Sequence, residues 1–168
     1  TDPPGPVGAY GRSKLAAEQA VAAAGAPYAI VRSSWLFGPH GGNFVDTMLR
    51  LAADRDSVKV VDDQIGCPTY TGHLASALVD IAERRLGGVL HVAGGGQCSW
   101  HDLAAAAFAR TGAQVTLHPC TTAEFPRPAA RPAYSVLASE RDDAPRLPHW
   151  EEGLAAHLAA RHQEAVAP

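Results

Sequence analysis

The chain is predicted to adopt an α/β fold with parallel strand pairing, and three observations carry that prediction. Short runs rich in β-branched residues, such as Ala29-Ile30-Val31 and Val58-Lys59-Val60-Val61, alternate with longer segments whose apolar positions recur at helical spacing. Gly25 with Pro27, Gly41-Gly42, Gly87-Gly88 and Gly94-Gly95-Gly96 fall at the junctions. Strand and helix therefore take turns along the chain, the order that parallel pairing with crossover helices requires.

In order, residues 1–8 are a Pro/Gly-rich lead-in that cannot hold regular structure. A helix over about 10–24 is rich in Ala, the best helix former, and Gly25 stops it. Residues 28–33 form a short strand that runs into the aromatic stretch Ser34-Trp35-Leu36-Phe37, closed by Gly38-Pro39. Residues 44–53 form a helix with Phe44, Val45, Met48, Leu49 and Ala52 on one side. A strand over 58–61 leads to the polar turn Asp62-Asp63-Gln64. Thr71 is expected to cap the next helix, which carries Leu74, Ala75, Leu78, Val79 and Ile81 and ends at Gly87-Gly88. Residues 89–92 are a strand. Ser99-Trp100-His101-Asp102 is a variant of the capping box and opens a helix to Arg110. The last strand is placed at 115–117, an irregular proline-rich loop at 126–132, and a closing amphipathic helix at 150–161. No internal repeat or low-complexity tract interrupts this order.

At 168 residues the chain is long enough for one ordinary domain, or for part of a larger one. A hydrophobic share of 46% against 18% charged residues describes a well-buried globular protein. A net charge of −3 with scattered signs leaves no basic stripe, which argues against a nucleic-acid partner. The sequence has no apolar run of about 18 residues that could span a membrane, and no signal peptide. Cys67, Cys98 and Cys120 are odd in number and widely spaced, so neither a disulfide framework nor a zinc site is expected, and a reducing cytoplasm is the natural setting.

Chemistry concentrates at Tyr10 and Lys14. Four residues apart on a helix, they share one face, and an ammonium beside a phenol favours the phenolate. A free phenol, with a pKa of about 10, is a poor acid or base at neutral pH, so such a neighbour makes a proton-transfer device. The spacing alone equally describes two solvated residues. Gly94-Gly95-Gly96 follows a strand and precedes a helix, where backbone amides can bind phosphate, but it lacks the Gly-x-Gly-x-x-Gly spacing and reads as a flexible loop. The eight histidines form no metal-binding motif, so no metal is expected. Ser99, His101 and Asp102 are too close in sequence to face one another as a triad. Trp35 ends a strand before a Gly-Pro turn, where open α/β sheets place their ligand crevice, and its flat face suits a sugar ring; ordinary core packing is the competing reading. Arg127 and Arg131, in the proline-stiffened loop, offer forked donors to phosphate oxygens.

Five blocks in a fixed order resemble the second half of the dTDP-4-dehydrorhamnose reductases of the extended short-chain dehydrogenase/reductase family. They are Tyr10-Gly-Arg-Ser-Lys14, Val31-Arg32-Ser33-Ser34-Trp35-Leu36-Phe37, Gly42-Asn43-Phe44-Val45, Val60-Val61-Asp62-Asp63-Gln64-Ile65-Gly66-Cys67-Pro68-Thr69-Tyr70, and the Arg127 to Arg131 loop with Leu147-Pro148-His149-Trp150. The resemblance implies the second half of a Rossmann-type doubly wound sheet plus a small C-terminal substrate-binding part. Residues 1–57 would belong to the dinucleotide-binding domain, and 58–168 mostly to the substrate side, with some segments returning to the sheet. It implies reduction of dTDP-4-dehydro-L-rhamnose to dTDP-L-rhamnose with NADPH or NADH. Tyr10 and Lys14 would be catalytic and touch the cofactor, and Trp35, Asn43, Gln64, Arg127 and Arg131 would border the substrate.

The family's N-terminal glycine-rich strand-turn-helix, and the Ser or Thr upstream of its tyrosine, are absent from these residues. The expectation is that the 168 residues alone reduce nothing, and that the cofactor half belongs to a longer parent or to another chain, with a homodimer also possible. A non-catalytic nucleotide-sugar-binding or regulatory subunit, and a related sugar-nucleotide epimerase or dehydratase, are the alternatives. Retention of both Tyr10 and Lys14 favours an enzyme.

Overall fold

A computed structural model describes residues 3–166; Thr1 and Asp2 of the predicted lead-in lie outside the described residues. Two parallel strand pairs, each covered by a helix, form the frame. The first joins β1 (Ala29–Arg32) to β6 (Gly88–His91), with Ala29 opposite Gly88 and Arg32 opposite His91. The helix α3 (Thr71–Glu83) packs Ala77 and Ile81 against Leu90 and Val92, with Ala144 closing the cluster. The second pair joins β3 (Ser57–Val61) to β8 (Thr116–Cys120). Here α2 (Phe44–Asp54) and α4 (Trp100–Thr111) bury Met48, Ala104 and Phe108 on Val58 and Val60. A third cluster unites α2 and α4 with α5 (Trp150–Val166) through Phe37, Val45, Cys98, Leu103, Ala107, Trp150, Leu154 and Leu158. Each of these large side chains contributes about 1.5–3 kcal/mol on full burial.

Helix ends follow their local chemistry. Asn43 caps α2 by accepting a hydrogen bond from the Asp46 amide. Ser99 and Asp102 form a reciprocal capping box on α4, as the sequence predicts, and Gly112 ends that helix in the left-handed region at φ 68°. Thr71 departs from expectation. Tyr70 occupies the cap position without a side-chain hydrogen bond, and Thr71 is the first helical residue. The Thr71 hydroxyl is turned instead against Gly38, where a Cβ would lie 1.8 Å from its oxygen.

Short strands complete the frame. β2 (Leu36–Phe37) pairs parallel with β5 (Thr69–Tyr70), and β4 (Ile65–Gly66) pairs antiparallel with β7 (Cys98–Ser99). At two residues each they carry no periodicity to read. β8 runs longer than predicted and includes Pro119, which is tolerated because β8 pairs on one side only. The first helix, α1 (Ala9–Ala23), matches its prediction closely, with Gly25 at φ 72° beyond it, but none of its residues is buried.

Cys67, Cys98 and Cys120 are buried free thiols, and burial pushes the titration of each upward, that of Cys98 from its ordinary 9.0 to about 12. The folded state therefore holds its Cys98 proton where the unfolded chain has lost it. Cys98 is expected to contribute no destabilisation below pH about 9, and stability should fall as pH rises from there toward about 12. Iodoacetamide at pH 8 should leave all three thiols unmodified until the fold opens, as mass spectrometry with and without denaturant would read.

Candidate functional site

The first turn of α1 presents Tyr10 to solvent, 75% exposed, and brings the Lys14 ammonium to 5.4 Å from the centre of the phenol ring. The helical spacing expected from sequence thus places cation and ring side by side. The two groups, a phenol and an ammonium, are both solvent-facing donors.

Trp35 adopts φ 49°, a left-handed conformation uncommon for a bulky side chain and informative where it occurs. Trp100 stacks on the indole with ring centres 3.5 Å apart and planes 5° from parallel. Against the ring also comes Gly66, where a Cβ would lie 2.4–2.7 Å from Cε2, Nε1 and Cζ2. At those distances any side chain at position 66 would collide with the indole, so the ring packs directly on the Gly66 backbone. One face is therefore taken by Trp100, the ring packs against Gly66, and the indole is left half-buried.

Gln64 is 7% exposed and spends its amide on the same aromatic stack. Its Nε2 donates to Thr122 Oγ1 at 2.9 Å, and its Oε1 accepts from Trp100 Nε1 at 3.2 Å. Thr122 in turn donates its hydroxyl and its amide to Asp63, and that hydroxyl above all holds the Asp63 carboxyl below its ordinary titration. The Asp63-Gln64 turn thereby fixes the Trp35–Trp100 stack. Trp100 is a residue that sequence reasoning missed; its signal was an aromatic set directly after the capping serine of α4. Phe44 adds a ring 4.6 Å from Trp100, next to the Asn43 cap. Asn43 donates to the Gly38 carbonyl and to Asp46 while accepting from the Asp46 amide, so its side chain is largely committed to the start of α2.

The loop carrying Arg127 and Arg131 is exposed, and Arg127 lies 4.7 Å above the Phe125 ring. The loop has two neighbours among the candidate segments. The Ala130 carbonyl oxygen lies 3.9 Å from where a Cβ on Gly8 would sit, at the head of α1. Ala133 accepts from the Ile65 amide at 2.8 Å, beside Gly66 and Trp35. The loop therefore touches both the head of α1 and the strand that carries Gly66 under Trp35.

Gly94 and Gly95 turn their amides inward. Gly94 N donates to Thr69 Oγ1 at 3.0 Å, Gly95 N donates to the Pro148 carbonyl at 2.9 Å, and the Gly95 carbonyl accepts from Trp150 N. The segment is a clasp for the start of α5, neither a phosphate cradle nor a flexible loop. A Cβ on Gly94 would meet the Pro68 carbonyl oxygen at 2.0 Å. Gly94→Ala is accordingly expected to cost about 1–3 kcal/mol of stability, read as a lower denaturation midpoint. Asp62, His101 and Asp102 place their ligand atoms within 4.8 Å of one another. Asp62 Oδ1 accepts from the Ser99 hydroxyl at 2.6 Å and Asp102 Oδ2 from the Ser99 amide, which ties both carboxylates to the start of α4.

A family profile described as the RmlD substrate binding domain matches residues 1–163. The chain belongs to this family. A relative named dTDP-4-dehydrorhamnose reductase from Sinorhizobium fredii (strain NBRC 101917 / NGR234) is 43% identical over 165 residues, covering 90% of this chain and 56% of that protein. Its namesake from Mycolicibacterium smegmatis (strain ATCC 700084 / mc(2)155) is 45% identical over 165 residues, covering 95% and 50% respectively. Among solved structures, the dTDP-4-dehydrorhamnose reductase of Bacillus anthracis str. Ames in complex with NADP superposes with a TM-score of 0.91 at 40% identity, over 95% of this chain and 58% of that one. This member of the RmlD substrate binding domain family spans about half the length of the curated relatives it matches.

Proposed function

We propose that this chain is the catalytic-tyrosine and substrate-binding portion of an enzyme that reduces dTDP-4-dehydro-L-rhamnose to dTDP-L-rhamnose with NADPH or NADH. One observation carries the reading: an exposed Tyr10 with Lys14 against its ring, in a chain matched over nearly its whole length by relatives of that name. The nicotinamide supplies the hydride to C4 of the sugar. Tyr10 donates its phenolic proton to the O4 atom that becomes the alcohol, and Lys14 holds positive charge beside the phenolate left behind. The same ammonium suits the ribose of the cofactor.

Substrate contacts divide by what each side chain has free. Trp35 limits the sugar with its indole edge, while Trp100 and Gln64 hold that edge in place. Asn43 shapes the wall through the start of α2, and Arg127 and Arg131 meet the diphosphate with forked donors. Residues 1–57 serve the dinucleotide side and 58–168 mostly the sugar side. The cofactor pyrophosphate would be held by a glycine-rich half of a longer parent or of a partner chain, with a homodimer as a further arrangement. Three unpaired thiols suit a cytoplasmic setting.

The test is NADPH and NADH oxidation, followed at 340 nm (about), by the intact parent given the 4-keto sugar nucleotide. Production of dTDP-L-rhamnose is expected. A parent that binds the nucleotide sugar tightly but oxidises neither cofactor would assign the chain to a binding subunit instead.

A further inference from the structure

Glu18 lies one helical turn beyond Lys14, which itself lies one turn beyond Tyr10, so the three follow one another along a single face of α1. A carboxylate at that spacing is a natural partner for the Lys14 ammonium. It is engaged elsewhere. Arg32, at the end of β1, closes a fork on Glu18, with Nε to Oε1 at 2.8 Å and Nη2 to Oε2 at 2.5 Å. Both groups are partly buried, at 29% and 22% side-chain exposure, and the fork holds the Glu18 carboxyl below its ordinary titration.

Arg32 is itself held from behind. Its register partner His91 stands with Nε2 at 3.4 Å from Arg32 Nη1 and Nδ1 at 2.9 Å from the Ala138 carbonyl. A carbonyl only accepts, so Nδ1 carries the ring proton and the Nε2 lone pair faces the guanidinium. The fork thus ties α1, which has no buried residue of its own, to β1, β6 and the segment that crosses them.

We propose that Arg32 is a positioning residue for proton transfer: by occupying both oxygens of Glu18 it keeps that carboxylate from drawing Lys14 away from Tyr10. The inference rests on the role proposed for Tyr10 and Lys14. Without Arg32, a partly buried carboxylate is left without its cation, and Lys14 is the cation one turn away. Lys14 then swings toward Glu18, and the phenol loses its neighbour.

This mechanism has a signature that simple loosening of the helix lacks: removing Glu18 as well should repair the damage. In the intact parent enzyme, Arg32→Met is expected to lower kcat about tenfold with KM for the keto sugar within about twofold. Glu18→Gln should stay close to wild type, and Glu18→Gln combined with Arg32→Met should recover to within about threefold of Glu18→Gln alone. A double variant as slow as Arg32→Met, or Arg32→Met with unchanged kcat, overturns the proposal. If Arg32→Met does not fold, Arg32→Lys decides, because a lysine meets one carboxylate oxygen in place of two; full kcat in that variant counts against the idea. A readout independent of turnover is the carbon-13 resonance of Lys14 after reductive methylation, which keeps its charge. The ring-current shift from Tyr10 should vanish in Arg32→Met and return in the double variant. Persistence of that shift in Arg32→Met overturns the proposal, and if wild type reduces no keto sugar, the proposed function falls while this resonance still judges the role of Arg32.

Discussion

Replacing Tyr10 with Phe is expected to reduce turnover by the intact enzyme about 10²- to 10⁴-fold, the range a well-placed general acid contributes. The structure makes this substitution unusually clean. The Tyr10 ring is 75% exposed, and its contact with Lys14 is to the ring face, which phenylalanine keeps. Loss of the hydroxyl therefore leaves no cavity and no unpaired buried group, and the denaturation midpoint and the cofactor Kd should remain near wild type. Stopped-flow hydride transfer alongside cofactor titration separates the two quantities. Equal losses in binding and turnover would mean that Tyr10 holds a ligand and transfers no proton.

Trp35→Ala should have the largest effect on the fold among the site residues. The indole stacks on Trp100 at 3.5 Å and packs against the Gly66 backbone, so its removal leaves both without a partner. Since Trp35 is only half-buried, a loss of about 3 kcal/mol, the low end for truncating a core tryptophan, is expected. Relief of the left-handed backbone at φ 49° offsets little, because alanine is also disfavoured there. Sugar binding should weaken as well, since the edge that limits the pocket is gone. Trp35→Phe separates these effects: it retains a stacked ring and most of the stability but loses the indole edge. Urea denaturation and isothermal titration with the nucleotide sugar read the two losses. Weaker binding with unchanged stability in Trp35→Ala would show that Trp100 and Gly66 repack without it.

The sequence disclosed the elements whose signals are local. The Ser99 and Asp102 box was read at the start of α4, and α2 from its apolar spacing, and both helices stand where predicted, whereas the Asn43 cap and the Gly112 stop, equally local, went unread. The two-residue strands β2, β4, β5 and β7 were not legible, because their pairing is decided by partners distant in the chain. The site divides in the same way. The contact of Lys14 with Tyr10 was readable from one helical turn, whereas the link from Gln64 to Trp100 spans 36 residues and leaves no periodic trace. Trp35 was read as an aromatic at a crevice position, but nothing local announces that Trp100 stacks on it and that Gly66 packs against it. Thr71 shows the opposite failure, a good capping residue whose hydroxyl is turned against Gly38.

The two parallel strand pairs also bear on how this protein comes to be folded. Arg32 and His91 are 59 residues apart in the chain, and the Asp63 and Thr122 pair just beyond β3 and β8 has the same separation. Each ladder must close a long loop before its first backbone hydrogen bond stabilises anything, so helices with local caps such as α4 can form well ahead of the sheet. During that interval the strands have unpaired edges and the apolar faces of α3 and α4 are uncovered. Refolding should therefore be slow for a chain of this length, and its yield should drop as protein concentration rises, with partly folded chains diverted into aggregates before the ladders close.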